Sequence, residues 1–298
     1  MPHLTAYVAN CLMGGDEITH QPDGSWLRDI VRFKCAKWEF RFRQRADIAV
    51  GHIDSLKGTF CESTTVEVED VRPNDLRKAL DALDSICWLL SFASQSRVLC
   101  YGHEFPTGSG QKYCKSVAGI ANYFRPPFDL HDTAQVRAFV QDSFSAYTRL
   151  HKGRKLPAIF DYLVQAEHPS QPTEIRLLLL FVTLENLKDT FARTERIPYL
   201  KDFYRKPPAS PGKLGAKFTF EELLAQMLHA VRMRRGLRQV IALRNEIIHS
   251  GLSRQPHARQ WHLYERGQDL VREYLFRLLG YRGNYFTYAS QGMGTRKV

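Results

Sequence analysis

The chain lacks several features that would narrow its class. Its six cysteines are spread singly, with no C-x-x-C pair, so neither a zinc site nor a dithiol redox centre is indicated. No nucleophile-elbow, phosphate-loop or H-E-x-x-H pattern occurs. The longest apolar run, Leu177–Val182, is far too short to span a bilayer, and the N-terminus shows no signal-peptide pattern. We therefore expect a cytoplasmic protein with reduced thiols, no membrane association, no metal and no cofactor.

An excess of positive charge is the main compositional feature that is present. The chain has 42 Lys and Arg residues against 31 Asp and Glu residues, which gives a net charge of +11 at pH 7 and a pI near 9.4. Such an excess favours an acidic partner, of which nucleic acid is the commonest, and a merely solvated basic surface is the alternative. At 298 residues the chain can bury a sizeable core and is expected to hold two domains.

The first 128 residues have the pattern of a β-rich domain. Alternating or β-prone stretches predict strands at 4–12, 30–42, 58–68, 97–104 and 113–123. A helix is predicted from Pro73 to about Leu90, and Gly108–Gly110 reads as a hairpin tip. We expect an α+β or sandwich-like module.

Residues 131–285 are predicted to form an all-helical domain. Helices are expected at 132–150, 156–167, 173–194, 219–235, 237–249 and 261–279. Thr219 and Glu222 have the spacing of a capping box. The stretch Pro198–Lys217 is predicted to be a long basic loop, with a disordered connector as the alternative. Residues 286–298 are expected to be a flexible tail, so the predicted fold is α+β in two domains, a β-rich domain followed by a helical bundle.

The chemistry of the chain is concentrated near the end of the predicted helix 237–249. There Arg244, Asn245 and His249 lie within six residues. At about 100° per residue, Arg244 falls near the middle of the apolar face, and His249 follows Asn245 by one turn. An unpaired guanidinium on a packed face costs several kcal/mol, so Arg244 needs an anionic or polar partner. That partner is a structural carboxylate or a bound phosphate, and the residues alone favour the first.

The order Arg244-Asn245-x-x-x-His249 resembles the R-x4–6-H signature of HEPN domains, the all-helical ribonuclease superfamily of bacterial defence and toxin systems. Ile175–Leu187, which contains the step Leu184-Glu185, resembles the earlier core helix of these domains. Leu275–Tyr281 resembles the last helix of HEPN proteins related to the ApeA antiphage group. The resemblance covers roughly residues 131–285 and implies a HEPN helical bundle there.

The resemblance also implies an activity, a metal-independent endoribonuclease of antiphage defence (abortive infection) or toxin-type growth arrest. The RNA 2′-hydroxyl would attack its own phosphate and leave a 2′,3′-cyclic phosphate. His249 would move the proton, Arg244 would stabilise the phosphoryl oxygens, and Asn245 would orient the phosphate or the imidazole. Glu185 is expected to be the resting partner of Arg244.

The implied partners are RNA (tRNA or mRNA) and a second copy of the chain. In the family, two motifs face one cleft, so we expect a homodimer or a higher even oligomer through these helices, with a phage-derived trigger at the N-terminal domain. Arg238, Arg235 and Arg254 are candidate phosphate contacts. Gly251 stands where some HEPN toxins carry a tyrosine that is adenylylated, which argues against that control. A catalytically silent RNA- or nucleotide-binding module and a dimeric assembly protein stay open as alternatives.

Overall fold

The computed structural model describes residues 2–46, 58–111, 124–208, 210, 213–233, 238–250, 253–289 and 293–298. Within these ranges the fold is α+β, with a large antiparallel sheet and seven α-helices. None of the helices in this part of the chain combines the length and hydropathy that a membrane crossing requires.

The β-prone stretches of the first third of the chain form one sheet. Its strands are β1 (Leu4–Ala9), β2 (Glu17–His20), β3 (Trp26–Cys35), β4 (Trp38–Gln44), β5 (Glu62–Val68), β6 (Leu99–Phe105) and β7 (Gly108–Gln111). Their order is β2-β3-β4-β5-β1-β6-β7, and every neighbouring pair is antiparallel. Burial alternates along β4, as expected for a sheet that has one face on the core.

The single strand predicted over Ile30–Phe42 is a hairpin instead. Cys35 pairs with Trp38 across the turn, and Ala36 has a φ of 54°. The prediction failed because the alternation of β3 continues into β4 and the turn carries no Gly, Pro or Asn to mark the reversal.

The hairpin tip predicted at Gly108–Gly110 is also wrong, because these residues belong to strand β7. β7 pairs with β6 from Phe105 opposite Gly108, so the turn lies at Pro106 and Thr107. Both glycines lie in an edge strand, and Gly110 leaves room there for the ring of His103. The strand predicted at 113–123 lies outside the described residues.

The helices follow their capping signals and apolar periodicity. They are α1 (Leu76–Ser94), α2 (Thr133–Leu150), α3 (Leu156–Ala166), α4 (Thr173–Thr194), α5 (Phe220–Ala230), α6 (Arg238–Ser250) and α7 (His257–Leu279), and a 3-10 turn at Pro73–Asp75 precedes α1. The side chain of Asp132 accepts a hydrogen bond from the backbone N–H of Gln135 and so caps α2. The capping box predicted for Thr219 and Glu222 is confirmed.

One hydrophobic core joins the sheet to the helices. Phe92 of α1 stacks on Phe160 of α3, with ring centroids 4.9 Å apart, and lies 5.2 Å from the ring of Phe276 in α7. Helix α2 packs on β3, and the buried residues of the sheet and helices form one continuous cluster. Phe128, which is fully buried, belongs to that cluster. The core therefore continues across residues 128–131, where the sequence predicts a domain boundary.

A buried charge network connects the C-terminus of α3, the first turn of α4 and the interior of α7. Glu167, at the C-terminus of α3, is fully buried and accepts hydrogen bonds from Arg125 at 2.9 and 3.1 Å. It also accepts one from Arg272 at 3.2 Å, and it lies 3.8 Å from Arg176. A carboxylate at a helix C-terminus is opposed by the helix dipole, and burial adds a desolvation cost. The guanidinium groups that surround Glu167 offset both effects.

In place of the predicted flexible tail, the described residues after α7 form a hairpin on the core. Strand β10 (Asn284–Thr287) pairs with β11 (Gly294–Lys297). Tyr285 is fully buried, and its ring centroid lies 5.0 Å from that of Phe276. The backbone N–H of Tyr288 donates to Asp269 at 3.0 Å. The composition of the tail suggests flexibility, but one buried aromatic ring and backbone pairing order it.

The anchoring of this hairpin can be tested with Tyr285→Ala. We expect the free energy of unfolding to fall by about 3 kcal/mol, because the change leaves a cavity in the core. Urea denaturation measures the difference. Met293→Ala is the control, since Met293 is 65% exposed, and it should change stability by less than about 0.5 kcal/mol. Equal, small effects of both changes would show that the hairpin does not contribute to the core.

Candidate functional site

Helices α4, α5 and α6 meet around Arg244. Val240, Leu243 and Ile247 anchor α6 in the core and are at most 7% exposed. Arg244 lies at the border of that buried face, with 20% of its side chain exposed. The position differs from the predicted middle of the apolar face because Ile248, counted there from the sequence, is 47% exposed.

The guanidinium of Arg244 contacts three neighbouring side chains. Its Nη2 is ion-paired with Oε1 of Glu185 on α4, so the expected pairing is confirmed. Its Nη1 donates to Oδ1 of Asn245 at 2.9 Å. Its central carbon lies 4.4 Å from the ring centroid of Phe220, the first residue of α5. The Nε is buried and has no hydrogen-bond partner among the described residues.

Glu185 is shared by two cations. Lys188, less than one turn further along α4, places its Nζ 2.6 Å from Oε2 of Glu185. The same Nζ lies 5.1 Å from the ring centroid of Phe220. Two cations on one carboxylate leave an excess of positive charge, and this excess lies beside the exposed Asn245. An anion that approached Asn245 would therefore be attracted.

The position of His249 is described for its backbone alone. His249 lies in α6, one helical turn beyond Asn245. Its side chain lies outside the described part of the structure. The structure therefore brings together Arg244, Asn245 and Glu185, and the placement of the imidazole stays a prediction.

The structure describes some of the arginines predicted to contact phosphate more completely than others. Arg238 begins α6, but its side chain is outside the described residues, as are Arg235 and Gly251 as a whole. Arg254 is exposed just beyond α6, and its backbone N–H donates to the carboxylate of Glu246. No group of three or more His, Cys, Asp or Glu residues within the described ranges is arranged to hold a metal ion.

The predicted basic loop between α4 and α5 is an ordered hairpin in its described part. Strand β8 (Tyr199–Leu200) pairs with β9 (Phe203–Tyr204). The hydroxyl of Tyr204 donates to Asp189 on α4, and burial raises the pKa of that hydroxyl, as does this hydrogen bond. Arg205 is buried and donates to the carbonyl of Leu200 at 3.1 Å. The hydrogen bond to Asp189 joins the hairpin to another element, which composition could not reveal, whereas the contact of Arg205 with Leu200 lies within the segment itself.

A groove of about 400 Å³ runs from Glu185 to this hairpin. Its walls come from α4, from β8 and β9 and from the start of α5, and they include Lys188, Tyr199, Phe203 and Phe220. No motif in the sequence marks this groove. Its signal in the sequence is the alternation of aromatic and basic residues over 199–206.

No family model matches the chain, and neither a curated protein nor a solved structure is significantly similar to it. The chemistry of this site is therefore argued from its own residues and their geometry.

The contact between α4 and α6 predicts a measurable coupling. In a double-mutant cycle of Glu185→Ala and Arg244→Ala, we expect a coupling energy of about 1 kcal/mol in urea denaturation, because the pair is partly shielded from water. Arg77 and Asp81 on α1 form a control pair at 3.1 Å whose side chains are 86% and 63% exposed. Their coupling should be close to zero. A coupling between Glu185 and Arg244 no larger than that of the control would contradict the contact.

Proposed function

We propose that this chain is a metal-independent endoribonuclease of the HEPN type. The helices from α2 to α7 would form the HEPN bundle, and the sheet-bearing first 128 residues would regulate it. The observation that carries the proposal is the setting of Arg244. It is held by Glu185 and Asn245 at the open edge of α6, and Asn245 lies one turn before His249.

The proposed reaction moves protons at two oxygens of the RNA. The 2′-oxygen bonds to phosphorus while the bond from phosphorus to the 5′-oxygen breaks. The 2′-hydroxyl loses its proton to a base, and the departing 5′-oxygen gains one from an acid, which leaves a 2′,3′-cyclic phosphate and a 5′-hydroxyl. An imidazole performs either step near neutral pH. Arg244 would stabilise the charge that builds on the non-bridging phosphoryl oxygens.

A second copy of the chain would complete the site. Each motif has one histidine, whereas the reaction needs a base and an acid together. Ile175 and Leu178 share a face of α4 with Glu185 and are 41% and 38% exposed, and Ile248 of α6 is 47% exposed. Exposed apolar side chains beside a site are typical of an interface. We infer a homodimer, or a higher even oligomer, in which these residues pack and two motifs share one cleft.

The net charge of +11 suits a polyanionic substrate, and we propose tRNA or mRNA. Cleavage of either would arrest growth, so the proposed setting is antiphage defence by abortive infection, or toxin-type growth arrest, in the cytoplasm. A phage-derived component that contacts the sheet is the proposed trigger.

The same contacts support a second candidate function. Glu185, Arg244 and Phe220 connect α4, α5 and α6, and such a connection stabilises a fold without any catalysis. This observation favours a catalytically silent module that binds RNA or nucleotides, or a dimeric assembly protein.

Cleavage assays with variants of the motif separate these functions. Wild-type protein should cleave tRNA or total RNA in EDTA and leave 2′,3′-cyclic phosphate ends, which end-group analysis detects. His249→Ala should lower the rate by about 10²–10⁴-fold because the proton transfer is lost. Arg244→Ala should lower it by about 10²–10³-fold because the charge is no longer stabilised. His3→Ala and Arg149→Ala, at exposed positions, are the matched controls and should keep the activity.

Two other outcomes would overturn the endoribonuclease. Binding of RNA that survives His249→Ala, with no cleavage by any form, would establish the silent module. Loss of the dimer in Arg244→Ala, with no affinity for RNA in the wild type, would establish the assembly protein.

The proposed dimer is tested by Ile248→Glu. A charge on this exposed side chain should dissociate the dimer and abolish cleavage together, because burying an unpaired carboxylate at an interface is costly. Size-exclusion chromatography with light scattering measures the mass. Ile18→Glu is the control, since Ile18 is 49% exposed on the edge strand β2. A monomeric Ile248→Glu protein that still cleaves RNA would exclude a composite site.

A further inference from the structure

Two aromatic side chains of the hairpin formed by β8 and β9 are exposed to solvent. Tyr199 is 58% exposed and Phe203 is 41% exposed. Both line the groove that begins at Glu185. Neither residue belongs to the buried core. Exposed aromatic rings in a cleft are typical of a binding surface.

The rings are held in place before any ligand binds. Tyr199 packs edge-on against Tyr204, with ring centroids 5.0 Å apart. Tyr204 is bonded to Asp189 of α4, which fixes the hairpin to the helix that carries Glu185. The Nζ of Lys217 lies 3.5 Å from the ring centroid of Phe203. Stacking on rings that are already ordered costs little conformational entropy.

The charges around the groove suit a ligand that has both uncharged groups and anionic groups. Segment 198–217 contains five Lys or Arg residues and one Asp, and Lys201, Lys213 and Lys217 are exposed at its surface. Inside the groove the carboxylates are paired in part. Glu185 binds two cations, Asp189 is 2.9 Å from Arg193, and Asp202 also lines the groove. The carboxylates favour uncharged groups with N–H donors within the groove, and Lys217, which lies against the ring of Phe203, favours a phosphate next to that ring.

Nucleobases of a single strand match this arrangement. Each base has a flat face for stacking. Adenine, guanine and cytosine also have an exocyclic amine that donates a hydrogen bond to a carboxylate. The phosphates of the same strand would lie among the lysines. In a duplex the bases are stacked and paired with each other, so they cannot reach the rings.

We propose that the hairpin of β8 and β9 is a stacking platform for unpaired RNA bases, and that Tyr199 and Phe203 select single-stranded RNA for the Arg244 site. The role of the platform in selecting the substrate rests on the proposed endoribonuclease activity. Binding of single strands by the platform does not rest on that activity, and this binding is measured without cleavage.

The test is the affinity for a labelled 2′-O-methyl RNA of about 12 nucleotides, which has no 2′-hydroxyl to attack its phosphates. Fluorescence anisotropy gives the Kd. Stacking contributes about 1–3 kcal/mol per base, so the double variant Tyr199→Ala/Phe203→Ala should weaken binding by at least about 30-fold. Tyr199→Phe/Phe203→Tyr keeps both rings and should stay within about threefold of the wild type. Trp26→Ala, at a residue 59% exposed on β3, is the control and should change nothing.

Two further ligands separate stacking from charge. A duplex of the same length, and an abasic oligomer with the same phosphates, should bind more weakly than the single strand and should not respond to the double alanine variant. Equal losses for the single strand and the abasic oligomer would overturn the platform, because the rings would then be acting through structure or charge. Unchanged circular dichroism and thermal unfolding of the variant keep the comparison valid.

Failure of this inference is distinct from failure of the proposed function. If no form cleaves RNA but single strands bind through the two rings, the platform stands and the endoribonuclease does not. If the wild type cleaves RNA and the double alanine variant binds and cleaves equally well, the endoribonuclease stands and the platform does not.

Discussion

Burial of Glu167 is the constraint on which the helical half of the structure depends. A carboxylate with no exposed surface at a helix C-terminus is stable only among cations. Arg125, Arg176 and Arg272 come to it from the segment before α2, from α4 and from α7. Arg176 also donates to the carbonyl of Ala166 at 3.0 Å, so it closes α3 as it pairs. Because α4 carries Glu185, the position of the candidate site depends on this network.

Arg244 illustrates how a charged group is tolerated between a core and a surface. Its ring contact with Phe220 shields one side, while Glu185 and Asn245 satisfy the two terminal nitrogens. A guanidinium in the middle of the apolar face would lose its water on every side. At the border of the apolar face, the guanidinium keeps one side open to solvent. An arginine that contacts a phosphate needs such an open side. Lys188 adds a second cation to Glu185, so the carboxylate holds Arg244 without cancelling the local positive charge.

Features that local sequence determines could be predicted, whereas features that depend on packing between elements could not. The bounds of α4 at Thr173–Thr194 agree with the prediction, because the limits of this helix follow from the local spacing of its apolar residues. The pairing of Glu185 with Arg244 followed from the family resemblance, which supplied the neighbouring helices. The exposure of Ile248, the hairpin over 199–204 and the burial of Tyr285 could not be predicted. The exposure of Ile248 and the burial of Tyr285 depend on packing between separate elements. The hairpin pairs residues three and five apart, but its turn at Lys201 and Asp202 carries no Gly, Pro or Asn to mark it.

The sheet and the helices share one hydrophobic core, and this limits the ways in which a change at the sheet could reach the candidate site. Phe92 of α1 contacts the rings of Phe139 and Phe160 as well as that of Phe276, within 5.8 Å in every case. Separating the sheet and α1 from the helices would expose these rings, and each buried aromatic side chain contributes about 1.5–3 kcal/mol to stability. A trigger that bound the sheet would therefore have to shift packed helices, or alter the contact between two copies, rather than detach a regulatory half. In the proposed dimer, the surface of α4 and α6 around Ile248 is where such a shift would reach the motif of the second copy.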